Sequence, residues 1–400
     1  MTRHLARFAQ YFAVILMANG LAASRALAQA PDVKSLAHRI ITTSVAVQPG
    51  EVVLIQGGKH TIPLMEALAV EAQMAGAFPN IVLNSDSVAR NYELDVPMKY
   101  LSQPQRYWGQ WYAPVDVLIT LPTASDLKAL DAGVSIQRFA EMGKAFDFLT
   151  PMIDKMKYRE LDITYPTDER GASFNLDGPT YVKMMWDAMN VDYSQIASKA
   201  TALRNMLQQA KTVRVSSPTG TDISFSLQGR EIFMETGVIT GPQAKGKKAV
   251  ARTTALPAGM VTVAPRETSA SGKVMVPKLS CQYRLMTDIS FSVKKGMIED
   301  MTAASGLPCY DSLLAVSKGP TKRFGNVSIG VNPAWHTITD GSAAYFPGEG
   351  AGLVFLGFGD NRLLGGANVT SENVGFSFPV TDATVWIDGK KVVDGGKLMF

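Results

Sequence analysis

Cysteine, histidine and long apolar runs are all scarce in this chain of 400 residues, and each scarcity excludes a class of protein. Two cysteines and four histidines, one of them near the N-terminus, make a zinc site built from Cys and His implausible. The apolar run from Phe12 to Ala23 has only about a dozen residues, whereas a membrane-spanning helix needs ~20. No later segment is longer, so the sequence does not predict an integral membrane protein.

Neither positive nor negative charge predominates in this chain. The formal net charge is +4, and Arg3, Arg7 and Arg25 lie in a stretch without acidic residues; setting these three aside leaves 36 basic against 35 acidic groups. Nucleic-acid binding draws its affinity from clustered positive charge, so a nucleic-acid partner is not expected. The composition, 46% hydrophobic and 18% charged, is that of a globular protein, and the length favours two domains.

The motifs that announce the commonest hydrolase and nucleotide sites are absent. There is no zincin helix motif, no phosphate-binding loop with its lysine and no serine nucleophile elbow. The glycine-rich stretch from Gly348 to Gly352 precedes a strand-like run instead of opening a helix, so we interpret it as a β-turn. Function must therefore be inferred from other residues.

The N-terminus has the pattern of an export signal. Basic residues at positions 3 and 7 precede the short apolar run, and Ala26-Leu27-Ala28 is a small-x-small cleavage site. We predict a signal peptide over residues 1–28, with no stable membrane insertion after cleavage, and a periplasmic or extracellular location for the mature chain.

Export changes the meaning of the two cysteines, Cys281 and Cys309, because thiols in an oxidising compartment tend to pair. A disulfide between them is one expectation, and two separate buried thiols remain the alternative. A bridge over this span would stabilise the fold by roughly 3 to 4 kcal/mol on the chain-entropy model.

Helices and strands alternate in the first half of the mature chain. Apolar residues from Val33 to Ile41 have helical spacing, and Val52 to Ile55 is a buried strand. A helix from Ile62 to Ala75 ends at Gly76, a second strand covers Ile81 to Leu83, and a third covers Val115 to Leu121. Helical spacing returns from Phe139 to Met156 and from Ile196 to Leu207. This order predicts an α/β domain with a mainly parallel sheet over residues 29–211.

The pattern changes after residue 211. Short alternating strands, such as Ile223 to Leu227 and Ile289 to Val293, are separated by Gly, Pro, Ser and Asp. We therefore predict a mostly antiparallel, β-rich domain over residues 212–400.

A series of motifs resembles the aminopeptidase S and aminopeptidase T metallopeptidases and their leucyl-aminopeptidase-like relatives. The resemblance covers nearly the whole mature chain, and it implies the same two domains and a dimer formed through the β-rich domain. The motifs, in chain order, are Val47 to Ile55, Ala69 to Pro79, Tyr165-Pro166-Thr167, Gly220 to Ile223, Leu256 to Gly259, Gly325 to Asn332, Gly352 to Asn361 and Ala383 to Gly389.

The residues at the family's metal-ligand positions depart from its pattern. Enzymes of this class use two divalent metals ~3.5 to 4 Å apart to polarise the scissile carbonyl and activate water. The resemblance places the ligand positions, two glutamates, two histidines and an aspartate, at residues that have lost ligating character: Met260, Asn326, Phe355, Gly375 and Ser377. The implied expectation is no bound metal and no cofactor.

Two functions from different classes are consistent with this pattern. The first is an exported aminopeptidase-like protein without the dinuclear centre that binds a small peptide or amine in the inherited cleft. The second is an active hydrolase, with a metal held elsewhere by His336, Glu349 and Asp360 or with a metal-free mechanism. A related ring-cleaving iron dioxygenase needs a His-x-Asp pair that is also missing here, and a purely structural dimer scaffold is a further alternative.

Overall fold

The structure is a computed structural model that describes residues 32–104, 106–145, 152, 155–371 and 375–400. The signal peptide predicted over residues 1–28 and its cleavage site lie outside the described residues. None of the helices in these ranges combines the length and the apolar character needed to cross a membrane.

The helices concentrate in the first half of the chain. Short 3-10 turns at Lys59–Thr61, Ala249–Arg252 and Arg362–Leu364 and a π-helical turn at Ile40–Ser44 accompany them. The α-helices are α1 (Val33–Arg39), α2 (Ile62–Met74), α3 (Asp86–Leu94), α4 (Met98–Leu101), α5 (Trp108–Tyr112), α6 (Leu127–Asp131), α7 (Ile136–Lys144), α8 (Asp168–Ser173), α9 (Gly178–Met189), α10 (Tyr193–Gln209), α11 (Gly241–Ala244) and α12 (Leu307–Ala315).

The strands form three sheets. They are β1 (Val52–Gly58), β2 (Phe78–Asn84), β3 (Val117–Thr120), β4 (Arg159–Ile163), β5 (Thr212–Ser216), β6 (Asp222–Ser226), β7 (Ile232–Glu235), β8 (Thr253–Leu256), β9 (Met260–Val263), β10 (Ser271–Cys281), β11 (Arg284–Lys294), β12 (Met297–Thr302), β13 (Phe324–Gly330), β14 (Val354–Gly359), β15 (Gly375–Val380), β16 (Thr384–Ile387), β17 (Lys390–Asp394) and β18 (Lys397–Leu398).

The first sheet is parallel throughout, in the order β2-β1-β3-β4-β8. Strand β1, which lies between β2 and β3, is apolar on both faces: Val53 and Ile55 pack into the main helical core, while Leu54 packs with Tyr112 on the other side. A strand covered on both faces has the continuous apolar run that the sequence shows at 52–55. Helix α2 ends just before Gly76, whose φ of +79° is left-handed, as the sequence predicts.

The other two sheets are antiparallel and pack face to face. An eight-stranded sheet, in the order β12-β11-β10-β6-β5-β16-β17-β18, faces a five-stranded sheet, in the order β15-β14-β13-β9-β7. Rings from both sheets meet between them: Phe291 lies 4.8 Å from Phe378, and Phe225 lies 5.1 Å from Phe324. The predicted fold class, α/β followed by mostly antiparallel β, is confirmed.

The two main hydrophobic cores do not divide the chain at residue 211, where the sequence predicts the domain boundary. Helix α10 buries Ile196, Leu203 and Leu207 in the core of the antiparallel sheets, although its sequence precedes the boundary. Strand β8 follows the boundary but completes the parallel sheet beside β4. The helix predicted over 139–156 is also shorter, because α7 ends at Lys144, while 146–151 and 153–154 lie outside the described residues.

Cys281, at the end of β10, is joined by a disulfide to Cys309 in α12. Both residues are buried in the core of the antiparallel sheets. The bridge therefore fastens α12 to the end of the β10–β11 hairpin and has no part in the cavity described next.

Candidate functional site

One face of the five-stranded antiparallel sheet forms the floor of a cavity of about 480 Å³. Strand alternation divides the residues between the two faces. On β13, Asn326 and Ser328 line the cavity, whereas Val327 and Ile329 pack into the core. The lining residues are Phe233, Met234, Glu235, Val250, Thr253, Met260, Thr262, Asn326, Ser328, Phe358, Asp360, Asn361, Leu363, Leu364, Gly375, Phe376 and Ser377.

Four of the five positions that the sequence matched to metal ligands line this cavity, namely Met260, Asn326, Gly375 and Ser377. The fifth, Phe355, pairs across strands with Ser328, and its ring lies 3.7 Å from where a Cβ on Gly348 would stand. Residues up to 117 positions apart in sequence are thus brought to one face of one sheet.

The chemistry of these side chains does not fit two divalent metals. Phenylalanine and glycine side chains offer no ligand atom, the thioether of Met260 is soft, and the remaining amide and hydroxyl are neutral. Within the described ranges, no group of three or more His, Cys, Asp or Glu residues is placed to hold a metal ion. The hydroxyls of Thr262 and Ser328 hydrogen-bond to each other at 2.9 Å instead.

Asp360, a sequence candidate, lines the cavity but is already neutralised. Its carboxylate accepts hydrogen bonds from the backbone N–H groups of Arg362 at 3.1 Å and Thr370 at 2.8 Å. The Arg362 guanidinium adds an ion pair at 2.9 Å. Asp360 thus has the contacts of a residue that fixes the loop after β14.

Glu349, the second candidate, lies in a turn beside the cavity. Its backbone oxygen accepts a hydrogen bond from Asn332 N–H at 2.7 Å, and the preceding Gly348 lies against Met260. Burial raises the pKa of the Glu349 carboxyl to about 7. The glycine-rich stretch here is a turn, as predicted, and it positions a carboxyl group that is easily protonated.

His336, the third candidate, is exposed and lines a different cavity, together with Asp382 and Lys397. The structure therefore does not bring His336, Glu349 and Asp360 together, because the segment after Asn332 carries the histidine away from the cavity in which Asp360 lies. A relocated metal site built from these three residues has no geometric support.

Glu235 is the cavity residue that the sequence analysis missed. It ends β7 opposite Met260, and its Oε1 is buried without a hydrogen-bond partner. Burial, followed by the nearby Glu349 and Asp162 carboxyl groups, raises the pKa of Glu235 well above its ordinary value. Strand alternation could have placed Glu235 on the same face as Phe233, but nothing in the sequence distinguishes it from a surface glutamate.

A second acidic pair lies next to the cavity, on β4 of the parallel sheet. Glu160 and Asp162 flank Leu161, and Glu160 is opposite Thr253, a lining residue. Burial and then the charge of Asp162 raise the pKa of Glu160 to about 7. The neighbourhood of the cavity is consequently rich in carboxyl groups.

Another cavity, of about 640 Å³, lies where α6 and α8 meet the tip of the β10–β11 hairpin. Tyr283 of the hairpin donates a hydrogen bond to Asp131 at 3.2 Å there. None of the site residues predicted from the sequence lines it.

Comparison with known proteins supports the same interpretation of the fold. The family model described as thermophilic metalloprotease (M29) matches residues 29–340. Wild-type AmpT from Thermus thermophilus is similar in structure, with a TM-score of 0.69, 15% identity and coverage of 92% of this chain and 99% of that chain. A 2,5-dihydroxypyridine dioxygenase from Pseudomonas putida KT2440 has a TM-score of 0.58, 16% identity and coverage of 92% and 96%. No curated protein matches the sequence significantly.

Proposed function

The chain belongs to the thermophilic metalloprotease (M29) family, and we propose that it is an exported member that has lost the dinuclear metal centre and binds a small peptide or amine. The family and fold expected from the resemblance to aminopeptidases S and T are confirmed. Export, loss of the metal centre and ligand binding are the proposal.

One observation carries this proposal: a cavity remains where the ligand positions converge, although their side chains are Met, Asn, Gly and Ser. A volume of about 480 Å³ is within the range of small-molecule sites and can hold a dipeptide or an amine of similar size. A lost metal site with no remaining function would not need an open, structured cavity.

The lining also suits such a ligand. Asn326, Ser328 and Ser377 offer hydrogen-bonding groups for a peptide, and apolar side chains such as Phe233 and Leu364 offer surface for its side chain. The described lining contains Glu235 and Asp360 but no lysine or arginine, which favours a neutral or positively charged ligand.

The test is to measure the binding of leucinamide and leucylglycine to the mature chain by calorimetry. Ser377→Phe, which fills the cavity, should weaken binding by about tenfold or more. Ser224→Phe, at an exposed position of β6, adds the same bulk away from the cavity and should leave binding unchanged. If the wild-type chain binds neither compound, the ligand-binding proposal is wrong.

The active-hydrolase alternative is tested in the same samples. Hydrolysis of leucyl p-nitroanilide, with or without added cobalt, would favour that alternative over a binding protein. Export is tested by mass spectrometry of the secreted chain, which should begin at or near Gln29; an intact Met1 in the membrane fraction would contradict it.

A further inference from the structure

The two acidic residues that line the cavity differ in how their charge is compensated. Asp360 has two backbone N–H donors and the Arg362 guanidinium. Glu235 forms no ion pair with a cation in the described ranges, and its Oε1 has no partner. A buried carboxylate without compensation is unfavourable in the empty cavity, and a bound cation would remove that cost.

We propose that Glu235 is the cation anchor of this cavity and receives the primary ammonium group of an amphipathic amine. This inference rests on the proposed function and specifies its ligand. The ammonium group lies on the floor of the cavity beside β7 and β9, and the apolar part of the ligand extends towards the rim.

The rim of the cavity is apolar, so the apolar part of the ligand should lie at the rim and its ammonium group at the floor. Leu363 and Leu364, in the 3-10 turn after β14, line the cavity together with Val250 of a second 3-10 turn. Leu363 is 42% exposed, so it lies at the opening. Phe233, opposite Thr262 on the neighbouring strand, continues the apolar wall towards the floor.

Lys248, a basic residue beside the cavity wall, does not replace the ligand's cation. Lys248 Nζ lies 5.5 Å from the centre of the Phe233 ring, but it is paired with Glu231 at 3.3 Å. Glu231 immediately precedes β7, whereas Glu235 is the last residue of that strand and lines the cavity.

The surrounding groups favour an ammonium ion over a divalent metal. An ammonium has three N–H donors and is satisfied by a few oxygen acceptors. Glu235 supplies a carboxylate, and the hydroxyl of Thr262 and the amide of Asn326 lie on the same face of the sheet. A divalent metal needs several charged or well-placed ligands, and the described residues offer no such set.

The electrostatics of the site agree with this ligand. Burial, followed by the neighbouring Glu349 and Asp162 carboxyl groups, raises the pKa of Glu235 well above its ordinary value, so the empty cavity disfavours the ionised form. A bound ammonium ion beside Oε1 would favour the ionised form and compensate its charge.

The experiment compares 2-phenylethylamine with its uncharged analogue 2-phenylethanol by calorimetry. The wild-type protein should bind the amine at least about tenfold more tightly than the alcohol. Glu235→Gln, which keeps the shape and removes the charge, should abolish this difference while leaving the affinity for the alcohol nearly unchanged. Glu299→Gln, at an exposed position of β12, is the matched control and should behave like wild type.

The possible outcomes separate this inference from the proposed function. Equal binding of both compounds by wild type would overturn the cation anchor and leave a binding cavity in place, and this result needs no variant. An amine preference that survives Glu235→Gln would also overturn the anchor. Failure of wild type to bind either compound, or leucinamide and leucylglycine, would refute the proposed function itself. Calcium or zinc binding that is lost in Glu235→Gln would replace the ammonium by a metal.

Discussion

The two faces of the β7-β9-β13-β14-β15 sheet differ in kind although they belong to the same five strands. The inner face carries large apolar side chains such as Phe324 and Phe378, both fully buried. The outer face carries Asn326, Gly375 and Ser377, which line the cavity. Neighbouring residues in one strand therefore lie in different surroundings: Ser377 lines the cavity, whereas Phe378 packs in the core.

This difference explains how a fold can be kept when the chemistry of its site changes. Because side chains alternate across a strand, a substitution on the outer face leaves the packing of the inner face intact. The glutamate, histidine and aspartate ligands implied by the family can thus be replaced by Met, Asn, Phe, Gly and Ser without a hole in the core. Stability should depend on the inner face, and ligand binding should depend on the outer face.

The largest effect on stability is expected from Phe378→Ala on the inner face. The Phe378 ring lies 4.8 Å from Phe291 and 5.1 Å from Phe376. Removing it should lower the free energy of unfolding by about 3 to 5 kcal/mol through lost burial and a cavity. Ser377→Ala, one residue away on the outer face, should cost less than about 0.5 kcal/mol. Urea denaturation measures both, and equal losses would refute the division between the faces.

The next effect concerns the disulfide, which joins two elements of the antiparallel region. Cys281→Ala with Cys309→Ala should lower the free energy of unfolding by roughly 3 to 4 kcal/mol, because the unfolded chain loses a constraint over 28 residues. In hydrogen exchange, amides of β10 and β11 should lose protection before those of β1 and β3 in the parallel sheet. Simultaneous loss in both regions would show that they unfold as one unit.

A smaller, pH-dependent effect is expected from Glu160→Gln beside the cavity. The folded-state pKa of about 7 is above the ordinary value of 4.5, so between these values the unfolded chain binds fewer protons than the folded chain. The free energy of unfolding must then fall as pH rises from about 4.5 to 7. Glu160→Gln removes this loss and should stabilise the protein by about 3 kcal/mol at pH 8 and hardly at all at pH 4. Thermal melts at both pH values measure the difference, and a gain at pH 4 would contradict this origin.

Much of the fold could be predicted because its strands have strong local patterns. The run Val52 to Ile55 is apolar on both faces, and Gly76 ends a helix at the place where the chain must turn. Strand β8 has only four residues and no periodicity that shows which sheet it joins. Helix α10 has a clear apolar stripe, but the sequence does not say which layer that stripe covers.

The candidate site was predictable only in part, because some of its features depend on contacts between residues far apart in sequence. The family resemblance gave positions from 260 to 377, and the sheet register brings them to one face. Glu235 has no motif, and the role proposed for it depends on a missing hydrogen-bond partner that only the folded structure shows. The separation of His336 from Asp360 likewise depends on the path of the chain after Asn332.

The smallest expected effect is the response to metal ions, which tests the outer face directly. A metal that binds only the folded chain raises its stability by about 2.7 kcal/mol when present at 100 times its dissociation constant. For a chain of this length, that gain would raise the melting temperature by several degrees.

No set of metal ligands is supplied by Met260, Asn326, Phe355, Gly375 and Ser377. Neither a chelator nor added zinc should therefore shift the melting temperature of this protein by more than about 1 °C. Elemental analysis should find less than about one zinc, cobalt or manganese per chain. One tightly bound ion that is lost in His336→Ala would instead place a metal outside this cavity, and it would restore the hydrolase alternative, because His336 is the only histidine after residue 211.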